Sequence, residues 1–180
     1  MLVVSSQDVM FTAPIGDQPV LAPDGYPYPP FELANRVGSV PDFATYHYIG
    51  ASAKEYICKS LPMNYDFQGK RILDFGCGAG RVLRHFVPEA KSGCEVWGCD
   101  IDMPSVLWAI DHFSPLMHIF HNSEQAHLPL ESNSFDCVFA FSVFSHLSHA
   151  WDQWLAELRR VLVANLIERA EALFVVVASI

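Results

Sequence analysis

The chain has 180 residues, of which 51% are hydrophobic, and its formal net charge at pH 7 is −9. This length suits one domain with a core large enough to fold alone. The acidic balance argues against nucleic acid as a partner, because nonspecific affinity for phosphate comes from lysine and arginine. No apolar stretch approaches the roughly 20 residues that a membrane span needs, and the first eleven residues make a poor secretory signal.

The first 45 residues contain most of the prolines, including the run Pro27-Tyr28-Pro29-Pro30, which predicts an extended arm without helix or strand. Its aromatic and apolar residues indicate that it packs on the domain surface; a lid or substrate-binding segment is the alternative. From Asp42 to Leu61, apolar residues recur near a 3.6-residue period and predict a helix, with Gly50 as a weak point. We therefore divide the chain into an arm, residues 1–45, and a domain, residues 46–180.

A short apolar run from Ile72 to Phe75 predicts a buried strand, and glycines follow it at alternate positions, Gly76, Gly78 and Gly80. Helical spacing in residues 81–86 completes a strand, turn and helix that would leave backbone N–H groups bare for a ligand. The next predicted strand, residues 94–102, reaches Asp100, 20 positions after Gly80. In a doubly wound sheet this carboxylate lies at the tip of the neighbouring strand and can accept both ribose hydroxyls of a nucleoside.

The remaining pattern alternates between helices and buried strands. A helix is predicted over Met103–His112 with Asp102 as its N-cap, and a second, amphipathic one over Trp151–Val163. Strands are predicted at residues 117–120, 137–141 and 174–177. This alternation predicts an α/β fold with a mostly parallel sheet that carries helices on both faces.

The five cysteines form no CxxC pair and are odd in number, so we expect reduced thiols that act as small hydrophobes in a cytoplasmic protein. Two histidine pairs, His118 with His121 and His146 with His149, have spacings that could suggest a metal. The first pair lies in a predicted strand, where residues i and i+3 face opposite ways. No acidic or cysteine partner stands at ligand spacing, and we predict no metal site.

The run Asp74-x-Gly76-x-Gly78-x-Gly80, followed by Gly98-x-Asp100, resembles the cofactor site of class I S-adenosylmethionine-dependent methyltransferases. Residues 133–136 (NSFD) and 142–147 (SVFSHL) resemble the same family, so the likeness covers about residues 70–163. The main competitor is an NAD(P) Rossmann domain, but its GxGxxG fingerprint needs glycine where Arg81 stands. Asp74 would also repel a pyrophosphate, whereas S-adenosylmethionine carries a sulfonium and an ammonium and no phosphate.

The resemblance implies a Rossmann-like, doubly wound domain that transfers a methyl group from S-adenosylmethionine to a small-molecule acceptor. Asp74 would organise the amino end of the cofactor and Asp100 the ribose, while a polar side chain after the third strand would meet the adenine amino group. Glu124 is the nearest match for that role, with Gln125 beside it and Asn122 if the register shifts. The implied cofactor-binding residues are Asp74, Gly76, Cys77, Gly78, Gly80, Asp100, Ile101, Glu124, Gln125, Ser142 and Val143.

His146 would lie near the transferred methyl group. There it could take a proton from the acceptor, or it could cap the next helix or hydrogen-bond within its loop. Two other functions stay open on sequence: an NAD(P)-dependent oxidoreductase, and a noncatalytic protein that only binds S-adenosylmethionine.

The C-terminal segment departs from the family pattern. Relatives follow the amphipathic helix with a basic residue and Pro-Gly-Gly, whereas residues 163–169 here extend the helix. One apolar strand follows, and we expect a sheet truncated after strand five, without strands six and seven. An uncovered apolar edge favours pairing, so the alternatives are a homodimer through this edge and a shortened version of a longer protein.

Overall fold

The computed structural model describes residues 19–36, 38, 40–147, 150–163 and 173–177. Five parallel strands form one sheet in the order β3-β2-β1-β4-β5. They are β1 (Arg71–Phe75), β2 (Glu95–Asp100), β3 (His118–His121), β4 (Cys137–Phe141) and β5 (Leu173–Val177). The chain runs outward from β1 to β3 and then returns to β4 on the other side of β1. This reversal confirms the predicted doubly wound α/β fold, and it opens a crevice at the carboxyl ends of β1, β2 and β4.

Helices cover both faces of the sheet. They are α1 (Phe31–Arg36), α2 (Phe43–Ser60), α3 (Val87–Lys91), α4 (Met103–Phe113) and α5 (Trp151–Val161). Ile57 of α2 and Phe113 of α4 pack with Ile72 in one core cluster, whereas Leu158 of α5 packs with Leu73 in another. Since Ile72 and Leu73 are neighbours on β1, their side chains point to opposite faces. Over the described ranges, no helix combines the length and apolar character that crossing a bilayer requires.

Two helix starts were predicted correctly, and both have an aspartate cap. Asp42 accepts a hydrogen bond from the Thr45 N–H at 2.7 Å at the start of α2. Asp102 accepts one from the Ser105 N–H at 3.3 Å at the start of α4. Each bond satisfies an N–H that has no partner within its helix.

Gly50 has a packing role rather than being only a weak point of α2. A Cβ at this position would overlap the Arg81 carbonyl oxygen and the His85 ring. The glycine therefore lets α2 lie directly against the segment that follows β1. This contact fixes α2 beside Arg81 and His85.

The prediction of an arm without helix was wrong at Phe31–Arg36, where α1 forms. The Pro30 carbonyl accepts the N–H groups of Leu33 and Ala34 at 2.8 and 3.0 Å. Proline favours a helix start because its fixed φ is already helical and its missing N–H would have no partner there.

The arm is fixed to the domain by Arg84, whose side chain is fully buried. Its Nε and Nη2 donate to the two carboxylate oxygens of Asp24 at 2.6 and 3.0 Å. Nη2 also donates to the carbonyls of Tyr26 and Pro27, and the guanidinium lies 4.8 Å from the ring centre of Tyr28. Because Arg84 contacts four residues of the arm, these contacts favour the interpretation that the arm packs on the domain over residues 24–28.

An α-helix was expected directly after the glycine turn, but a 3-10 turn forms at Leu83–Phe86 and α3 begins only at Val87. The reason is Pro88. In a continuous helix Pro88 would have to donate an N–H to the Arg84 carbonyl, and proline has none. A tighter turn therefore connects the glycines to α3.

Helix α5 was predicted to continue past Val161, which is wrong at Leu162 and Val163. Leu162 is extended, with φ −70° and ψ 142°, and forms a β-bridge with Phe135. The Phe135 N–H donates to the Val161 carbonyl at 3.0 Å, so a neighbouring chain segment ends the helix. Residues 164–169, the rest of the predicted extension, lie outside the described residues.

The predicted fifth strand is confirmed as β5, parallel to β4 and at one end of the described sheet. A homodimer through this edge stays a prediction.

Candidate functional site

A cavity of about 630 Å³ lies at the carboxyl ends of β1, β2 and β4, a size typical of small-molecule sites. Nine of the predicted site residues line it: Asp74, Gly76, Cys77, Asp100, Ile101, Glu124, Ser142, Val143 and His146. Gly78, Gly80 and Gln125 are not part of the lining, whereas Asn122 is. The residues predicted from separate strands therefore meet at one edge of the sheet.

The glycine turn after β1 is shaped by its neighbours. Gly76 and Gly80 have φ values of +82° and +80°, a region that favours glycine. A Cβ on Gly76 would overlap a methyl group of Val143, and one on Gly80 would lie 2.7 Å from the Phe113 ring. Glycine is thus required for both backbone conformation and close packing at these two positions.

The sequence predicted bare N–H groups in this turn, and this prediction was wrong for Gly76, Cys77 and Gly78. Those of Gly76 and Cys77 donate to the Cys99 carbonyl at 2.8 and 3.0 Å. The Gly78 N–H donates to the Asp100 carboxylate at 2.7 Å. The turn is therefore held against the end of β2, and side chains rather than main-chain donors supply most of the polar groups of the cavity.

Asp100 lies at the tip of β2 and is tied down by main-chain donors. One carboxylate oxygen accepts the Gly78 N–H and the other accepts the Asp102 N–H at 2.8 Å. Burial raises the pKa of Asp100 although these N–H groups act in the opposite direction. Each carboxylate oxygen has a second lone pair, so the group can still accept hydroxyls from a ligand.

Asp74 is 1% exposed, and its Oδ2 has no hydrogen-bond partner among the described residues. Burial, together with the nearby charge of Asp100, raises the pKa of Asp74 to about 8, although Arg81 acts in the opposite direction. A buried carboxyl oxygen without a partner is costly. It is explained if a ligand supplies a donor or a positive charge at this point of the cavity.

Asn122 presents a second unpartnered oxygen. It follows β3, is 6% exposed, and its Oδ1 is buried without a partner among the described residues. The backbone N–H of Asn122 donates to the Asp100 carbonyl at 3.1 Å, which fixes this residue beside β2. Glu124, the nearest match by sequence, also lines the cavity but is exposed, and Gln125 lies outside it.

The loop that carries Asn122 and Glu124 is held by α5. Glu157 accepts the Leu128 N–H at 2.6 Å, and Arg160 donates to the carbonyls of Leu128 and Leu130. This anchoring keeps the loop at the cavity rather than in solvent.

The end of β4 forms the opposite wall. Ser142 has a φ of +61°, which is unusual for a residue other than glycine, and such backbone conformations cluster at functional sites. His146 follows in a 3-10 turn, is exposed, and lines the cavity. Phe141, Leu147 and Trp154 make this side of the cavity apolar.

Two arginines of the cavity were missed by sequence reasoning. Arg36, from α1, donates to Asp102 at 2.7 Å and to Glu32 at 2.9 Å. Arg81 directly follows the last glycine of the turn, is 6% exposed, and forms no ion pair among the described residues. The position of Arg81 one residue after the turn was the available signal, since the ends of such turns face the ligand crevice. No sequence pattern pointed to Arg36.

These features define a doubly wound α/β protein with a ligand cavity at its topological switch point, lined by more carboxylates than cations. The chain belongs to the methyltransferase domain family, because the family's sequence model matches residues 72–165, more than half of the chain. The matched range begins in β1 and contains the glycine turn, Asp100, Asn122 and His146.

Solved structures share this fold. A SAM-dependent methyltransferase from Aquifex aeolicus is 23% identical, with a TM-score of 0.52 over 61% of this chain and 57% of that one. A complex of the Haloferax volcanii Trm112 methyltransferase activator with a putative methyltransferase matches at 21% identity and a TM-score of 0.55, over 73% of this chain and 53% of that one. Haemonchus contortus phosphoethanolamine N-methyltransferase 1 matches at 20% identity and a TM-score of 0.54, over 74% of this chain and 29% of that one. The present chain thus spans about half the length of the first two.

Proposed function

We propose that this chain binds S-adenosylmethionine in the cavity and transfers its methyl group to a small-molecule acceptor. The observation that carries the proposal is the buried, unpartnered Asp74 carboxyl oxygen in a cavity that also contains Asp100. A ligand with an ammonium and a sulfonium fits such a site, since both positive charges favour nearby carboxylates.

Three polar groups fit three parts of this cofactor. Asn122 Oδ1 would accept from the adenine amino group, and Asp100 would accept from the ribose hydroxyls. Asp74 would hold the ammonium of the amino acid end. Two of these groups, Asn122 and Asp74, contain buried oxygens that have no partner among the described residues, and a bound cofactor would supply both missing bonds.

The similar structures support the same cofactor. The Aquifex aeolicus protein is named a SAM-dependent methyltransferase, and the Haemonchus contortus enzyme was crystallised with phosphoethanolamine and S-adenosylhomocysteine. Because the chain belongs to the methyltransferase domain family, methyl transfer is the reaction that we propose for this cavity.

The chemistry divides between cofactor and protein. When bound, S-adenosylmethionine supplies an electrophilic methyl group and its own leaving group. The chain has to hold the acceptor in line with that methyl group and exclude water, a task for the apolar wall of Phe141, Leu147 and Trp154. His146, exposed at the rim, would take the proton that an O or N acceptor releases.

A dinucleotide is a poorer fit for this cavity. A dinucleotide site binds the pyrophosphate through free N–H groups of the turn after the first strand. The turn N–H groups that would bind a pyrophosphate instead donate to Cys99 and Asp100.

Isothermal titration with S-adenosylhomocysteine and NAD tests the proposal. We expect S-adenosylhomocysteine to bind and NAD not to bind. Asp100→Ala should weaken the binding of S-adenosylhomocysteine by about 1–3 kcal/mol, because truncation leaves ribose hydroxyls without an acceptor.

Asp111→Ala, which removes an exposed carboxylate of α4 outside the cavity, is the control and should bind like wild type. NAD binding with no affinity for S-adenosylhomocysteine would contradict the proposal. Binding of S-adenosylhomocysteine without methyl transfer to a broad acceptor panel would instead support the noncatalytic alternative.

A further inference from the structure

Arg81 is a buried cation with no counter-charge. Its side chain lies within the cavity wall, its Nε is buried without a partner, and no carboxylate lies within 4.0 Å of it among the described residues. Asp74 is near enough to influence it but does not pair with it. The other arginine of the cavity, Arg36, already donates to Asp102 and Glu32.

The surroundings of Arg81 do not compensate its charge. Its guanidinium carbon lies 5.6 Å from the ring centre of Phe141, and its Nη1 lies 3.8 Å from where a Cβ of Gly38 would be. The interaction with a ring face stabilises a cation by only about 0.5–2 kcal/mol. Since Asp74 has a pKa of about 8, its carboxyl is mostly protonated at neutral pH and does not neutralise Arg81.

A buried, unpaired guanidinium is expensive, and proteins retain one where a ligand completes it. Its planar fork of N–H groups matches the two oxygens of a carboxylate or phosphate. Because Arg81 lines the cavity, a molecule in the cavity can supply that group without any rearrangement of the backbone.

We infer that Arg81 is the anion-recognition residue of the cavity and binds an oxyanion group, a carboxylate or phosphate, of a bound molecule. The inference deepens the proposed function, on which it rests for the identity of that molecule. One source is the carboxylate of the cofactor's amino acid end, which would lie beside the ammonium held by Asp74. The other is an anionic group on the methyl acceptor.

Arg81→Gln removes the charge while keeping a polar, though shorter, side chain, and Arg81→Lys is the matched control that keeps the charge without the fork. Each protein is titrated with S-adenosylhomocysteine and with 5′-methylthioadenosine, which lacks the amino acid end. Inorganic phosphate is titrated into the free protein and into the protein saturated with S-adenosylhomocysteine. Thermal unfolding checks that each variant is folded; removing an unpaired buried charge should not lower its midpoint.

If the cofactor's carboxylate is the anion, Arg81→Gln weakens the binding of S-adenosylhomocysteine about ten- to hundredfold and leaves the binding of 5′-methylthioadenosine unchanged. If the acceptor carries it, S-adenosylhomocysteine is unaffected, while phosphate binding to the saturated wild-type protein is lost in Arg81→Gln and partly kept in Arg81→Lys. Equal binding of all three probes by wild type and Arg81→Gln would overturn the inference.

Failure of the proposed function has a different signature. Wild type would then bind neither nucleoside, and phosphate binding to the free protein would decide the inference alone. Dependence of that binding on Arg81 supports the inference, and absence of binding overturns it.

Discussion

Asp74→Asn is expected to stabilise the protein at alkaline pH while weakening its binding of S-adenosylhomocysteine. The carboxyl is buried, and its pKa is raised from 3.8 to about 8. Ionisation therefore costs more in the folded than in the unfolded protein. Asparagine has nearly the same shape and no charge, so it removes this cost.

The pH dependence has a definite sign. Between pH 4 and 8 the unfolded carboxyl is ionised while the folded one still binds a proton, so the free energy of unfolding falls as pH rises. The stability that protonated Asp74 contributes is fully present below about pH 4 and is lost as pH passes about 8. Relative to wild type, Asp74→Asn should thus gain a few kcal/mol between about pH 5 and 8.5.

Urea unfolding of both proteins at these two pH values measures this gain. Titrating groups that do not interact with Asp74 are common to both proteins and cancel in the difference. A difference between wild type and Asp74→Asn that is the same at both pH values would contradict burial of a protonated Asp74.

Binding provides the second half of this prediction. An ammonium beside Asp74 favours its ionised form, so wild type should release close to one proton when it binds S-adenosylhomocysteine near pH 7. Titration calorimetry in buffers of different ionisation enthalpy measures this proton. Asp74→Asn should release none, and its affinity should fall about tenfold or more, because a charge-assisted hydrogen bond is lost.

Asp24→Ala is expected to lower the free energy of unfolding by about 3–5 kcal/mol, because it leaves the buried Arg84 guanidinium without its counter-charge. Arg84 is fully buried and the Asp24 side chain is 11% exposed. Burial by itself would raise the pKa of Asp24, but the hydrogen bonds from Arg84 and the Tyr26 N–H hold it below its ordinary value. The contribution of this pair is therefore present above about pH 4 and is lost as pH falls through the lowered pKa.

Urea unfolding near pH 7 tests this expectation, with Glu32→Ala as control. Glu32 also pairs with an arginine of the arm, but its side chain is 81% exposed, so the loss should stay below about 0.5 kcal/mol. The double variant Asp24→Ala with Arg84→Met removes the stranded charge and should recover most of the stability. A loss below about 1 kcal/mol in Asp24→Ala would mean that the arm is not anchored there.

The positions of the strands along the chain and the edge of the sheet where the site lies could be predicted from the sequence. Apolar runs such as Ile72–Phe75 mark buried strands, and glycines after such a run mark the turn at the crevice. Both signals are local in the chain. The aspartate caps Asp42 and Asp102 were predictable for the same reason, because a cap bonds to an N–H three residues away.

What could not be predicted depends on contacts between distant segments. The turn N–H groups donate to Cys99 and Asp100, more than 20 residues away. Val161 ends α5 because Phe135 binds its carbonyl. The choice of Asn122 over Gln125 for the cavity depends on where the loop is held by α5, and no periodicity contains that information.

The central claim is that the cavity at the ends of β1, β2 and β4 holds an adenosyl group together with an amino acid end whose ammonium lies on Asp74. A crystal structure of the protein with S-adenosylhomocysteine tests it most directly. We predict adenine within hydrogen-bond distance of Asn122, ribose hydroxyls on Asp100, and the ammonium on Asp74. A nucleoside bound outside this cavity, or one inside it with its amino acid end directed away from Asp74, would contradict the claim.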